Sequence, residues 1–195
     1  MTAKGSRFGS SRGQTLVEFA IVLPFLMVIF LGVVEMSYLL LDQHVVTKLS
    51  REGSNLTSRN TTLQDAATAM RGMSSRPVNF DTSSRLILSV IKMVGTTGTS
   101  NYNKEVLYAR YSYGSLAGVS KLTTRGSPSF GPAPDYQAAN SDNDTSLQMT
   151  NLPAGLMVPG GLLYVTEIYS THPLITPLDR FGITLPTKLY SIAYF

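Results

Sequence analysis

Residues 12–41 read RGQTLVEFAIVLPFLMVIFLGVVEMSYLLL, and this apolar stretch decides the fold of the chain. No charged or amide side chain occurs from Phe19 to Val34, and a single Glu35 precedes the next apolar run. A helix rises about 1.5 Å per residue, so residues 16–41 would extend over about 39 Å and exceed a hydrocarbon core of about 30 Å. The stretch therefore predicts a transmembrane helix.

Two other interpretations of this stretch remain open from the sequence. A helix that is apolar on all sides can be the buried core of a soluble domain. A secretory signal peptide is also apolar, but its apolar region is about 7–15 residues long and ends at a small-residue cleavage site. The run here is longer and is followed by a pattern typical of an amphipathic helix. The membrane span is therefore favoured.

Two glutamates and one proline interrupt the apolar pattern. A carboxylate at the bilayer centre costs at least about 2.5–3.5 kcal/mol, which makes such glutamates candidate functional residues. Glu35 follows Glu18 by seventeen positions, or about 25 Å of helix, so each can lie near one membrane interface. An interfacial position without a further role remains open for both, and more so for Glu35. Pro24 removes one backbone donor and predicts a slight helix bend.

The order of residues at the start of this stretch resembles the class III leader of type IV pilin-like proteins. Gly13 is followed by QTLV, then by Glu18, Phe19 and an apolar run that contains Pro24. The motif SREGSN follows at residues 50–55. With this motif the pattern is similar, more narrowly, to TadE-like pseudopilins of tight-adherence (Flp) pilus systems.

The resemblance implies a fold and a set of roles. A prepilin peptidase is expected to cut between Gly13 and Gln14, so residues 1–13 would be a cleaved cytoplasmic leader. Glu18, with Phe19 beside it, is expected to act in assembly with other pilins or pseudopilins and with the inner-membrane pilus assembly platform. The resemblance covers the N-terminal helix only, and its last two residues depart from the small and basic residues usual in the family.

The positive charge of the chain is concentrated in its N-terminal tail. Lys4, Arg7 and Arg12 supply three of the four net positive charges. A basic tail with no acidic residue before Glu18 is expected to stay cytoplasmic, which would place the C-terminal part on the periplasmic side of a bacterial inner membrane. Membrane lipid is therefore a predicted partner. Nucleic acid is not, because no basic stripe is expected on a folded face.

The remaining sequence predicts an α+β fold in three parts. After the leader, the first helix should run over residues 14–58, transmembrane to about residue 41 and amphipathic beyond it. A periplasmic or extracellular domain should follow at residues 59–195. Its long loop at residues 114–161 is rich in Pro, Gly, Ser and Asn, and loops of that length are usually functional or mobile.

Local patterns predict the elements of this domain. Apolar residues at helical spacing predict a short second helix, and Asn60 or Thr61 can cap it. Period-two patterns predict a small antiparallel sheet of about four strands, of which the first two form a hairpin. The second helix and the strands are expected at residues 62–73, 85–94, 105–113, 162–171 and 188–195.

Residue types that carry chemistry are sparse in this sequence. His44 and His172 are the only histidines, and neither has carboxylates at metal-ligand spacing or a serine in a recognisable nucleophile motif. Asp142, Asn143 and Asp144 lack the remaining ligands of a calcium loop, so a solvated turn is favoured. The repeated tyrosines are interpreted as cross-strand partners rather than as a binding face. We expect no catalytic residue, no metal site and no cofactor.

These observations favour a structural protein over an enzyme. The hypothesis is a minor pseudopilin with a pilin-like plan that acts in pilus biogenesis, adhesion and surface colonisation. The alternative is an uncleaved single-pass envelope protein whose external domain binds a ligand or peptidoglycan. A membrane-tethered enzyme would need a convergent cluster of polar side chains, for which the sequence gives no pattern.

Overall fold

The computed structural model of the protein describes residues 11–153 and 155–195, with side chains from Gly13 onward. The first ten residues of the predicted leader lie outside this range. The elements are α1 (Ser11–Thr57), α2 (Leu63–Met73), β1 (Ser84–Met93), β2 (Glu105–Gly114), β3 (Leu162–Thr171) and β4 (Lys188–Tyr194), with 3-10 helices at Thr145–Leu147 and Pro177–Phe181. The predicted α+β fold, with a long first helix, a short second helix and four strands, is confirmed.

The four strands form one antiparallel sheet in the order β2-β1-β3-β4. β1 and β2 are the predicted hairpin, and Leu88 of β1 lies between Tyr111 of β2 and Thr166 of β3. Successive side chains of a strand point to opposite faces. Most of β1 is buried on both faces, which explains why its sequence is nearly continuously apolar instead of alternating. Both faces of the sheet must therefore be covered.

The short helix α2 packs beside the sheet, and its buried apolar side is the one that the sequence predicted. Its buried residues are Leu63, Ala66, Ala67 and Met70. The predicted cap at Asn60 or Thr61 is wrong, because Thr62 immediately precedes the first helical residue and occupies the capping position. Its hydroxyl accepts a hydrogen bond from the Asp65 backbone N–H at 3.1 Å, which satisfies a free donor of the first turn.

The outer part of α1, residues 40–57, packs on the sheet through small residues. The Ser50 and Ser191 hydroxyls are 2.9 Å apart, and the Ser54 hydroxyl donates to a backbone carbonyl of β4 at 2.9 Å. A Cβ added to Gly53 would lie 2.7 Å from Cγ2 of Thr166. The small residues therefore let the helix backbone approach β3 and β4 closely.

The opposite face of the sheet is covered by residues 115–161. Leu122 from this segment joins one apolar cluster with Ile91, Leu107, Leu163 and Val165. The buried Asn101 of the β1–β2 loop donates to the backbone carbonyls of Ser141 and Asp144, both at 2.8 Å. The predicted long loop is thus irregular in its backbone, but it is packed and hydrogen-bonded as a layer of the fold.

Contacts divide the chain into two compact units. One holds α1 up to Leu39 together with residues 174–185, and the other holds residues 40–173 and 186–195. The unit that contains the sheet therefore also contains the outer part of α1. The unit that contains the sheet begins at Leu40, and the start of an external domain at residue 59 stays a prediction.

Candidate functional site

The predicted cleavage bond between Gly13 and Gln14 lies in the first turn of α1, which begins at Ser11. A Cβ built on Gly13 would meet no described atom within 4 Å. Packing therefore does not require a glycine at this position. The Gln14 side-chain amide donates to Glu18 Oε1 at 3.0 Å, and both residues are exposed. The three residues thus lie together at the N-terminal end of the helix.

The inner part of α1 carries a bare apolar surface. The helix is long and apolar enough to cross a membrane, and its most apolar window has no buried residue. Phe19 is 59% exposed and Phe25 is 69% exposed. A core helix of a soluble domain would bury such side chains, so the surface favours the membrane-spanning interpretation. α1 remains helical through Pro24, and the bend at that residue stays a prediction.

Glu35 has partners that sequence reasoning missed. The residue is fully buried. Its Oε2 accepts hydrogen bonds from the Thr176 backbone N–H at 2.7 Å and from the Thr176 hydroxyl at 2.6 Å, and its Oε1 accepts from the Ile175 backbone N–H at 3.0 Å. Hydrogen bonds to a carboxylate are about twice as strong as neutral ones. No local pattern connects positions this far apart in the chain.

A second buried carboxylate on α1 contacts His172. Nδ1 of His172 lies 2.6 Å from Oδ2 of Asp42, and both residues are buried. The backbone N–H of His172 donates to the Thr187 carbonyl at 2.7 Å. A general base needs a ring nitrogen within reach of its substrate, whereas the His172 side chain has no exposed surface. The pair therefore joins α1 to the end of β3, while His44 lies exposed on the same helix.

A third buried carboxylate lies on β3. Glu167 accepts hydrogen bonds from the Lys121 backbone N–H at 2.7 Å, from the Tyr190 hydroxyl at 2.8 Å and from the Ser120 hydroxyl. Burial, together with the hydrogen bond to Glu167, raises the pKa of Tyr190. Burial lowers the pKa of Arg110, and the charge of Glu167 opposes that change. Because Glu167 is closed to solvent, this cluster fastens residues 115–161 to the sheet and is not accessible to a substrate.

The carboxylates that were considered as calcium ligands have protein partners. Asp142 accepts from Lys92 Nζ at 2.8 Å and from the Thr96 hydroxyl at 3.1 Å. The hydrogen bond from Lys92 lowers the pKa of Asp142. Asp144 caps a 3-10 helix through the Ser146 backbone N–H at 2.9 Å. Among the residues that the structure describes, no group of three or more His, Asp or Glu side chains is arranged to hold a metal ion.

One tyrosine of β3 packs against one tyrosine of β4. Tyr169 and Tyr190 lie opposite each other in the strand register, with ring centroids 4.7 Å apart. This distance is within the usual range for favourable aromatic pairs. The interpretation of these tyrosines as cross-strand partners is therefore confirmed for this pair.

Comparison with known proteins identifies the N-terminal segment. Residues 13–55 match the family model of TadE-like proteins. No curated protein and no solved structure matches the chain. The matched segment begins at Gly13 and includes Glu18 and the SREGSN motif, so the resemblance seen in the sequence is confirmed. Over residues 13–55 the chain is therefore similar to TadE-like proteins.

Proposed function

We propose that the protein is a minor pseudopilin, a structural or assembly subunit of a tight-adherence (Flp) type IV pilus. The observation that carries the proposal is the TadE-like match over residues 13–55. In this proposal α1 crosses the bacterial inner membrane with its N-terminus in the cytoplasm. The sheet domain then lies in the periplasm or, after assembly, in a surface pilus, and the protein contributes to pilus biogenesis, adhesion and surface colonisation.

Processing by a prepilin peptidase is the first step of this function. The peptidase removes residues 1–13. Glycine in a helix is about 0.5–1 kcal/mol less favourable than alanine, so the helix opens at low cost at Gly13 to present an extended substrate. The absence of any described packing partner for a Cβ at this position supports a role in recognition over one in folding. The basic tail keeps the bond at the cytoplasmic membrane surface.

Assembly with other pilins or pseudopilins is the second step, and we assign it to Glu18. Cleavage gives Gln14 a new α-amino group close to hydrocarbon. In a low-dielectric environment this charge gains more from an opposite charge than it would in water. The Glu18 carboxylate of a neighbouring subunit supplies that charge, and a head-to-tail contact that does not close builds an open assembly. The exposed Phe19 side chain then packs against the neighbouring helix.

The processing step is tested by the mass and the N-terminal sequence of the protein purified from its own membrane. The mature chain should begin at Gln14, and Gly13→Leu should leave the full-length protein uncut. Gly32→Leu is the matched control, because Gly32 also lies in α1 with no described atom within 4 Å of an added Cβ. An intact N-terminus in cells that contain a prepilin peptidase would contradict the proposal and favour the uncleaved envelope protein.

The assembly step is tested by Glu18→Gln, which keeps the shape of the side chain and removes its charge. The variant should insert and be cut normally, but it should no longer co-purify with pilins, pseudopilins or the inner-membrane assembly platform. Glu52→Gln is the control, since Glu52 is an exposed carboxylate on the same helix outside the apolar stretch. Unchanged co-purification and surface adherence of Glu18→Gln would show that Glu18 has no assembly role.

A further inference from the structure

The segment LITPLDRFGITL, residues 174–185, connects β3 to β4 and forms a compact unit with the inner part of α1. Its centre is the 3-10 helix Pro177–Phe181, which ends at Gly182 with φ 76°. The Ile183 backbone N–H donates to the Leu178 carbonyl at 3.2 Å, and Leu178 is buried. The segment is therefore a folded loop with its own core residue. We name it the 174–185 loop.

Glu35 fixes this loop to α1. Three donors of the loop, the backbone N–H groups of Ile175 and Thr176 and the Thr176 hydroxyl, converge on one fully buried carboxylate. Buried polar groups of this kind are costly to leave unpaired. The start of the loop is thus held at the level of Glu35 along the helix axis.

That level lies near the outer end of the apolar stretch, less than two helical turns before its last residue, Leu41. Leu16 to Glu35 is nineteen positions, or about 29 Å of helix, which is close to the hydrocarbon thickness of about 30 Å. A carboxylate is least costly near an interface. With the N-terminus of α1 at the cytoplasmic interface, Glu35 and the loop that it binds lie at the opposite membrane boundary.

The loop exposes apolar side chains at this level. Leu174, Ile175, Phe181 and Ile183 are between 37% and 59% exposed. Its two charged residues, Asp179 and Arg180, are adjacent, exposed and of opposite sign. Apolar side chains combined with a few charged groups at one boundary are typical of elements that lie in the interfacial plane of a membrane. A long arginine side chain can keep its charge at the headgroups while neighbouring apolar groups enter the acyl region.

We propose that the 174–185 loop is a second membrane contact, which inserts its exposed apolar side chains into the outer headgroup and acyl boundary beside α1. The occupant of this surface is lipid, because the loop belongs to the same compact unit as the bare apolar helix and is bound to it near the outer end of the apolar stretch. The role of Glu35 is then to accept hydrogen bonds from backbone N–H groups of the loop, which would be costly to leave unpaired at a membrane boundary.

The inference rests on the membrane crossing of α1, so the experiment tests both together. The chain contains no cysteine, and single-cysteine variants of the full-length protein can therefore carry one nitroxide label each. The variants are Phe181→Cys in the loop, Leu26→Cys on the exposed face of α1, and Val119→Cys, an 84% exposed apolar position outside the loop. Each labelled protein is placed in vesicles of phosphatidylcholine and phosphatidylglycerol. Collision of the label with oxygen, which partitions into lipid, is compared with collision with a water-soluble nickel chelate.

The expected result is several-fold lower accessibility of the Phe181→Cys label to the nickel chelate than of the Val119→Cys label, with oxygen accessibility approaching that of Leu26→Cys. The loop contact alone would be overturned if the label at position 181 were as accessible to the chelate as the label at position 119, while the label at position 26 was in lipid. Water-exposed labels at both 26 and 181 would overturn the membrane crossing as well. Protection at 181 that disappears at low protein-to-lipid ratio would overturn the lipid contact and indicate a second copy of the chain.

Discussion

Replacing Glu35 by leucine should release the 174–185 loop from α1 while the sheet stays folded. The substitution removes the acceptor of three donors, the backbone N–H groups of Ile175 and Thr176 and the Thr176 hydroxyl. Leucine fills a similar volume and suits the apolar helix. The expected effect therefore comes from the lost hydrogen bonds rather than from a cavity.

The magnitude follows from the burial of this site. A buried donor without a partner costs about 1–3 kcal/mol. The backbone N–H and the hydroxyl of Thr176 are buried, whereas the Ile175 N–H is only partly buried. The two buried donors would therefore cost about 2–6 kcal/mol if they stayed in place. The buried apolar residue of the 3-10 helix in this loop is Leu178. Burial of one leucine side chain contributes about 1.5–3 kcal/mol to stability. In the variant, the free-energy cost of the unpaired donors is therefore at least as large as the free energy gained by burying Leu178. Opening of the loop is the expected outcome.

Hydrogen exchange of the full-length protein in lipid nanodiscs measures this opening. A loss of about 3 kcal/mol of protection corresponds to roughly a hundredfold faster exchange, and it should be confined to peptides that cover residues 174–185. Glu35→Gln should be intermediate, because the amide oxygen has two lone pairs for three donors. Glu52→Leu, at an exposed carboxylate of the same helix, is the control.

Two results would refute this reasoning. Unchanged exchange of the loop in Glu35→Leu would show that the carboxylate does not hold it. Equally accelerated exchange of β3 and β4 would show that the loop does not open by itself and that Glu35 supports the whole fold.

Three further predictions concern the sheet unit. Gly53→Ala should lower stability by about 1–2 kcal/mol because its Cβ would lie 2.7 Å from a stiff threonine on β3. Gly72→Ala should not, because its Cβ would meet no described atom within 4 Å, and thermal unfolding measures both variants. Asp142 has a lowered pKa, so its stabilisation, at most about 1 kcal/mol for a partly exposed pair, is present at neutral pH and lost as pH falls below about 4. In urea unfolding the difference between Asp142→Asn and the parent protein should therefore be largest near pH 7 and shrink as the pH falls below about 4. A fragment of residues 42–195 should unfold cooperatively by circular dichroism, and a fragment of residues 58–195 should not, because it lacks the helical layer over the sheet.

Local patterns determined the parts of the fold that sequence could predict. The buried side of α2 follows from four apolar positions at helical spacing, and β3 was predicted at its observed bounds because ten residues combine β-branched and aromatic types between turn residues. The cap of α2 was misplaced by one or two positions, since three successive polar residues, Asn60, Thr61 and Thr62, are all good caps by type. Only the register of the first helical turn distinguishes them.

Long-range partners could not be predicted, because no periodicity reports them. Glu35 and Thr176 are 141 positions apart, and Asp42 and His172 are 130 apart. Neither pair can be found from the sequence, because the partners come together only in the folded chain. Residues 114–161 were predicted as a loop from their composition. That composition describes the irregular backbone correctly, but it gives no indication that Glu167 would fasten the segment to the sheet.

The three acidic residues of the inner and middle part of α1 differ in their burial and in the origin of their hydrogen-bond partners. Glu35 and Asp42 are buried and bound by residues from the far end of the chain, so their charges are used within the molecule. Glu18 is exposed, and its hydrogen bond among the described residues comes from Gln14 one helical turn away. Cleavage after Gly13 would turn the backbone nitrogen of Gln14, the residue that donates this hydrogen bond, into a free α-amino group. Glu18 is therefore an exposed carboxylate near the N-terminal end of an apolar helix, and this is the reason that we propose it as the partner of a charge supplied by another subunit.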